Sequence, residues 1–128
     1  MSKSPAPPLS RYRCAGDLVF TSGQLPRLAD GSIVAGGIEE QARQALTNLE
    51  AALAQAGARL DQVVKVTAWL TDASLMPGFN TVYREFFAEP YPARSTVISG
   101  LVAGDVEIEA VACLTQAIDT GGAGKNAE

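Results

Sequence analysis

Seven elements in the order β-β-α-β-α-β-β make this 128-residue chain an α/β protein of the α+β type, with one mixed sheet carrying two helices on a single face. Three observations lead there. Short apolar runs broken by Gly and Asp give way at Ile38 to apolar residues spaced three and four apart, which is the change from strand to helix period. Both helical stretches carry apolar stripes too large to leave open, and a sheet face covers them. The last strand is apolar on both of its sides, so the second sheet face also needs a cover, most economically another copy of the same chain.

Residues 1–10 form a Pro/Ser-rich arm and residues 119–128 a polar, Gly-rich tail, both expected to be flexible. A single domain spans 11–118. Strands at 12–15 and 18–21 flank Gly16-Asp17 as a hairpin, and the second ends in Ser22-Gly23-Gln24. A turn-rich loop follows to Gly37. The helix at 38–56 buries Ala42, Ala45, Leu46, Leu49 and Leu53, with Glu39 and Glu40 in its first turn and Gly57 as a left-handed stop. Residues 63–70, Val-Val-Lys-Val-Thr-Ala-Trp-Leu, read as a central strand. Asp72 or Ser74 caps a second helix with an inner stripe of Leu75, Phe79, Val82, Tyr83 and Phe86. Pro90 and Pro92 restart extended chain, and strands at 93–99 and 106–115 follow around a short turn at Ala103-Gly104-Asp105.

Composition removes several function classes. The formal net charge is -4 and the ten Lys and Arg residues never cluster, which disfavours nucleic acid as a partner. There is no histidine, so His-based triads, His general bases and imidazole zinc sites are excluded. Cys14 and Cys113 lie far apart without metal-ligand spacing and read as small buried hydrophobes. No stretch has the length of a membrane span or of a signal-peptide core, so the expectation is a cytoplasmic protein with no membrane partner.

The residues left for chemistry sit mainly on the last two strands. Arg94, after an extended Pro-Ala, offers a fork of N–H donors that matches a carboxylate bidentately, and Ser95 and Thr96 follow it. Glu107 and Glu109 share one face of the final strand, where partial burial would raise the pKa of an acid able to hold water or shuttle a proton. The chain order suggests that Arg94 and Glu107 stand side by side. Solvated strand acids and an interface salt bridge explain the same residues. Gly23 permits a close backbone approach, and Asn80 can brace a loop through its amide. Tyr12 and Tyr83 read as packing residues, and Gly36-Gly37 lacks the context of a phosphate loop.

The segments 16–24, 41–49, 63–67, 79–87, Pro92-Ala93-Arg94-Ser95 and 106–112 together resemble, in order and over almost the whole domain, the RidA (YjgF) family of imine deaminases. The resemblance implies a chorismate-mutase-like fold assembled as a homotrimer, with sheets around a central barrel and ligand clefts between subunits. It also implies hydrolysis of reactive 2-imino and enamine acids to 2-keto acids and ammonia, without a cofactor or metal. By resemblance Arg94 anchors the substrate carboxylate with Ser95, Thr96, Gly23 and Asn80 nearby, and Glu107 handles the hydrolytic water. The chain departs from the best-characterised branch at Thr96, where that branch has cysteine, and near Leu9 and Ser10, where it has a tyrosine that Tyr12 does not match in register. The interval from Arg94 to Glu107 is also shorter. Alternatives are a non-catalytic carboxylate-binding regulatory module and, further off, a ribonuclease or chaperone-like protein.

Overall fold

The computed structural model describes residues 5–115, 121, 122, 124 and 128, so the expected flexible arm and tail fall partly outside the described residues. Along the chain run β1 (Tyr12–Ala15), β2 (Leu18–Thr21), α1 (Ile38–Gln55), β3 (Val63–Leu70), α2 (Met76–Phe86), β4 (Ala93–Ile98) and β5 (Val106–Cys113). Single 3-10 turns precede β3 and α2. The predicted order holds.

Local chemistry sets the helix ends. The Glu40 carboxylate accepts the Gly37 N–H at 3.0 Å, satisfying one of the free donors at the start of α1. At the other end Gly57 takes φ +80°, and the N–H groups of Gly57 and Ala58 donate to the carbonyls of Ala54 and Leu53, the paired bonds of a Schellman stop. Asp72 accepts the Ser74 N–H at 2.8 Å, closing the 3-10 turn that leads into α2.

The five strands lie in the order β1-β2-β5-β3-β4, with β4 parallel to β3 and every other pair antiparallel. One sequence expectation fails here. The last two strands are not neighbours, because β3 lies between them. The connecting segment crosses the end of β3, where Ser99 N–H donates to the Leu70 carbonyl and Thr71 N–H to that of Asp105. A parallel β3-α2-β4 unit takes the neighbouring ladder that a hairpin would have used.

Both helices cover one sheet face. Leu46, Leu49 and Leu53 of α1 and Phe79 and Val82 of α2 join Val66, Leu70, Val106 and Ile108 in a core that is wholly buried. Truncating any one of these leucines to alanine costs about 2–5 kcal/mol, by lost burial and the cavity left behind. On β5 burial alternates without exception, with Val106, Ile108, Ala110 and Ala112 inside and Glu107, Glu109, Val111 and Cys113 on the opposite face. Among the described residues nothing covers that second face, and Phe20 and Val97 are exposed there by 42% and 40%.

Candidate functional site: two half-sites on opposite sheet faces

Register places Arg94. On the edge strand β4 it pairs with Val66 and Thr96 with Ala68, both of which point towards the helices, so Arg94 and Thr96 also lie on the helix face. The guanidinium stands over the rings of Tyr83 at 4.7 Å and Phe79 at 5.4 Å, which fixes it by cation–π attraction and leaves its N–H edge directed elsewhere. Asn80, Tyr83, Arg84, Tyr91, Pro92 and Arg94 line an open cleft of about 310 Å³. The Tyr83 hydroxyl is buried with no hydrogen-bond partner among the described residues, and burial pushes its pKa up to about 12, so it stays protonated at neutral pH.

A carboxylate already sits in this cradle. Glu128 accepts from Arg94 Nη2 at 2.9 Å and Nε at 3.1 Å, and from the Thr96 hydroxyl at 2.8 Å. The Arg94 bond, followed by that of Thr96, holds the Glu128 carboxyl below its ordinary range against the opposing effect of burial. Two donors of one guanidinium and a hydroxyl thus form a three-point carboxylate seat.

Glu107 belongs to the other face. It pairs with Trp69, and its side chain lies over Gly23, where an added Cβ would come within 2.7 Å of Oε2. Two devices set this contact. Gln41, buried in α1, donates to the Asp105 carboxylate and accepts the Asp105 N–H, while the Thr71 hydroxyl holds the other Asp105 oxygen, so the turn that opens β5 is pinned on three sides. Between the pairs Phe20↔Val111 and Gln24↔Ile108, the first strand carries one more residue than β5, a bulge in which the Thr21 hydroxyl accepts the Ala110 N–H in place of a main-chain carbonyl. That extra residue brings Gly23 against Glu107. Desolvation, and then repulsion by Glu109, raises the Glu107 pKa above its ordinary value.

The sequence-derived site residues therefore divide. Arg94 and Asn80 line the helix-face cleft and Thr96 joins Arg94 on the Glu128 carboxylate, whereas Glu107 and Gly23 meet on the open face. Arg94 and Glu107 are not side by side in one chain, because a strand intervenes and their side chains leave the sheet in opposite directions. Ser95 also departs from the arginine, since it pairs with Thr67 on the open face and its hydroxyl accepts from Lys65 Nζ at 3.1 Å. Tyr12 donates to the Gln55 carbonyl at 3.3 Å, away from both half-sites. Cys14 and Cys113 are free, and Cys14 is exposed rather than buried because β1 is an edge strand. Among the described residues no group of three His, Cys, Asp or Glu side chains gathers as a metal site. Nor is any helix long and apolar enough to cross a membrane.

Two contributors escaped the sequence reading. Tyr83 was visible as a core residue, but its place beneath Arg94 follows from the α2-to-β4 packing; its spacing three residues after Asn80 was the available signal. Glu128 had no signal in the sequence at all.

The fold is an α+β sheet whose helix face carries an open cleft and, beside it, an arginine and a threonine that together hold a carboxylate. A family model described as Endoribonuclease L-PSP matches residues 1–114, and the chain belongs to that family, the one the sequence motifs resemble. It is 39% identical to the 2-iminobutanoate/2-iminopropanoate deaminase of Capra hircus, over 87% of this chain and 85% of that one. It is 41% identical to the mitochondrial protein mmf2 of Schizosaccharomyces pombe, over 77% and 81% of the two chains. Among solved structures, E. coli TdcF with bound serine superposes with a TM-score of 0.77 at 35% identity, covering 85% of this chain and 90% of that one.

Proposed function

We propose that this protein hydrolyses reactive 2-imino acids to 2-keto acids and ammonia in a site that two copies of the chain complete. The observation that carries the reading is the carboxylate seat of Arg94 and Thr96. A 2-imino acid binds there through its carboxylate, with Asn80 on the cleft wall and the rings of Phe79 and Tyr83 keeping the guanidinium rigid. Glu107 of a second copy, Gly23 beside it, faces the C=N carbon. Its carboxylate takes a proton from water as oxygen attacks that carbon, and returns it to the nitrogen of the resulting aminol. The same carboxylate then passes the aminol's hydroxyl proton to the nitrogen, and as C=O forms the C–N bond breaks and ammonia leaves. An enamine substrate must tautomerise to the imine first, and neither step needs a metal or an organic cofactor.

A raised pKa suits Glu107 to this exchange, since a stronger base accepts the proton more readily. Thr96 is a hydrogen-bond donor in this scheme and not a nucleophile. Assembly as a homotrimer around the open sheet faces, and a cytoplasmic setting, complete the reading. The exposed Phe20 and Val97 support self-association, because burying them removes apolar surface from water. The relative named deaminase supports the chemistry. The word endoribonuclease in the family description finds little support, given the net charge of -4 and the absence of histidine.

The test generates imino acids in place with an amino-acid oxidase and times ammonia release against spontaneous hydrolysis. Arg94→Ala should lose carboxylate binding, and Glu107→Gln should keep binding but lose turnover. Hydrolysis unchanged in both variants would contradict the assignment, and Arg94-dependent binding with no acceleration by the wild type would leave a carboxylate-binding module.

A further inference from the structure

Four residues form a row across the open sheet face. Trp69 on β3 stands directly opposite Glu107 on β5, Val97 on β4 stands beside Trp69, and Gly23 in the stretch after β2 lies on the far side of Glu107. Side chains opposite one another in an antiparallel pair have Cβ atoms only about 5 Å apart, so the indole fills the β3 flank of the glutamate. The β2 flank is vacant, because Gly23 has no side chain. Glu107 leans that way, with Cγ, Cδ and Oε2 at 3.1, 2.9 and 2.7 Å from where a Cβ on Gly23 would stand. Val97 closes the other side of the indole. Glu109, the second acid of this face, lacks such a wall, since its opposite residue on β3 is the smaller Thr67.

We propose that Trp69 is the positioning residue of Glu107, its indole closing one flank so that the carboxylate keeps to the place over Gly23 from which it meets the C=N carbon. The inference rests on the role of Glu107 as base given above. A glutamate on an open sheet face has three side-chain torsions to settle, and a wrong rotamer carries the carboxylate out of reach of water and substrate. Indole on one side and bare backbone on the other leave it one direction. The same indole keeps water from that flank, in keeping with the raised pKa that desolvation, then Glu109, gives Glu107. Among the described residues, the other charged side chains on this face are Lys65 of β3, which donates to Ser95, and Arg13 of β1, opposite Phe20; Cys113 of β5 is the remaining titratable group.

Trp69 is the only tryptophan of the chain, so its fluorescence reads the contact without any substrate. In the full-length wild type, emission should step as pH falls through the acid limb of the kcat profile, and the step should vanish in Glu107→Gln but persist in Glu109→Gln. In the imino-acid assay Trp69→Ala should lose about tenfold in kcat with KM changed by less than about twofold, and its acid limb should move to lower pH as water reaches the carboxylate. Trp69→Phe, which keeps a ring on that flank, should stay within about threefold of the wild-type kcat. Gly23→Ala should add little to Trp69→Ala, where independent effects would multiply to about a hundredfold, because the place over Gly23 is already abandoned. Emission indifferent to Glu107→Gln, or Trp69→Ala at wild-type kcat, would overturn the positioning role, while lost turnover in Glu107→Gln would still leave the base assignment standing. Full turnover in Glu107→Gln would overturn both. Should Trp69→Ala fail to assemble, the emission step of the wild type and its loss in Glu107→Gln decide the matter.

Discussion

The opposite faces of Arg94 and Glu107 can be turned into a measurement by mixing two inactive variants. Arg94→Ala keeps a sound Glu107, and Glu107→Gln keeps a sound Arg94. If each site takes its arginine from one copy and its glutamate from a neighbour, a site is intact only where a Glu107→Gln chain supplies the first and an Arg94→Ala chain the second. At equal amounts and random exchange each condition is met half the time, so roughly a quarter of the sites recover in any closed symmetric assembly, whatever the number of copies. At a three-to-one ratio the fraction falls to roughly a fifth by the same product. The variants are unfolded together, refolded, and assayed for ammonia release from oxidase-generated imino acids across the mixing series. Activity should follow a parabola with its peak at equal amounts. A flat line at the level of the parents, with exchange of subunits confirmed by mass spectrometry, would refute the shared site.

Gly23→Ala should leave the melting temperature nearly unchanged yet lower kcat by an order of magnitude or more, since the new methyl group displaces the Glu107 carboxylate from its position 2.7 Å away. The acid limb of the kcat profile should lie above the ordinary carboxylate value, because Glu107 must be ionised to act as base and activity is lost as pH falls through its raised pKa. Glu109→Gln removes the repulsive part of that shift and should move the limb to lower pH. Tyr83→Phe deletes a buried hydroxyl that has no partner among the described residues, so denaturant unfolding should show stability unchanged or increased by about 1 kcal/mol. A clear loss of stability would mean that the hydroxyl is satisfied in solution.

The helix periods, the Gly57 stop and the burial alternation on β5 were legible in the sequence because each follows from neighbours a few residues apart. Arg94 and Glu107 were recognisable as chemical types for the same reason. Their relation was not, because the placement of β3 between β4 and β5 depends on which ladder forms across the whole sheet. Apolar patterning fixes which face a residue takes on its own strand and leaves strand order open. The β2 bulge was equally hidden, since Ser22-Gly23-Gln24 reads as an ordinary strand end until the partner register is known. The union of Arg94, Thr96 and Glu128 spans 34 residues between its first and last member, and no local pattern foretells it.

The hydroxyl of Thr21 standing in for a peptide carbonyl makes the spacing between residues 20 and 24 a fixed gauge. Removing a residue from that stretch would slide the glycine off the glutamate and reverse which side every later residue of the stretch presents. The tip at 28–32, joined to the rest through the Arg27↔Ile33 bridge and the carbonyls that Asn48 holds, sits outside the gauge. Variation in length is therefore tolerable at the tip and not at the gauge, and loop grafts meant to alter ligand preference belong there.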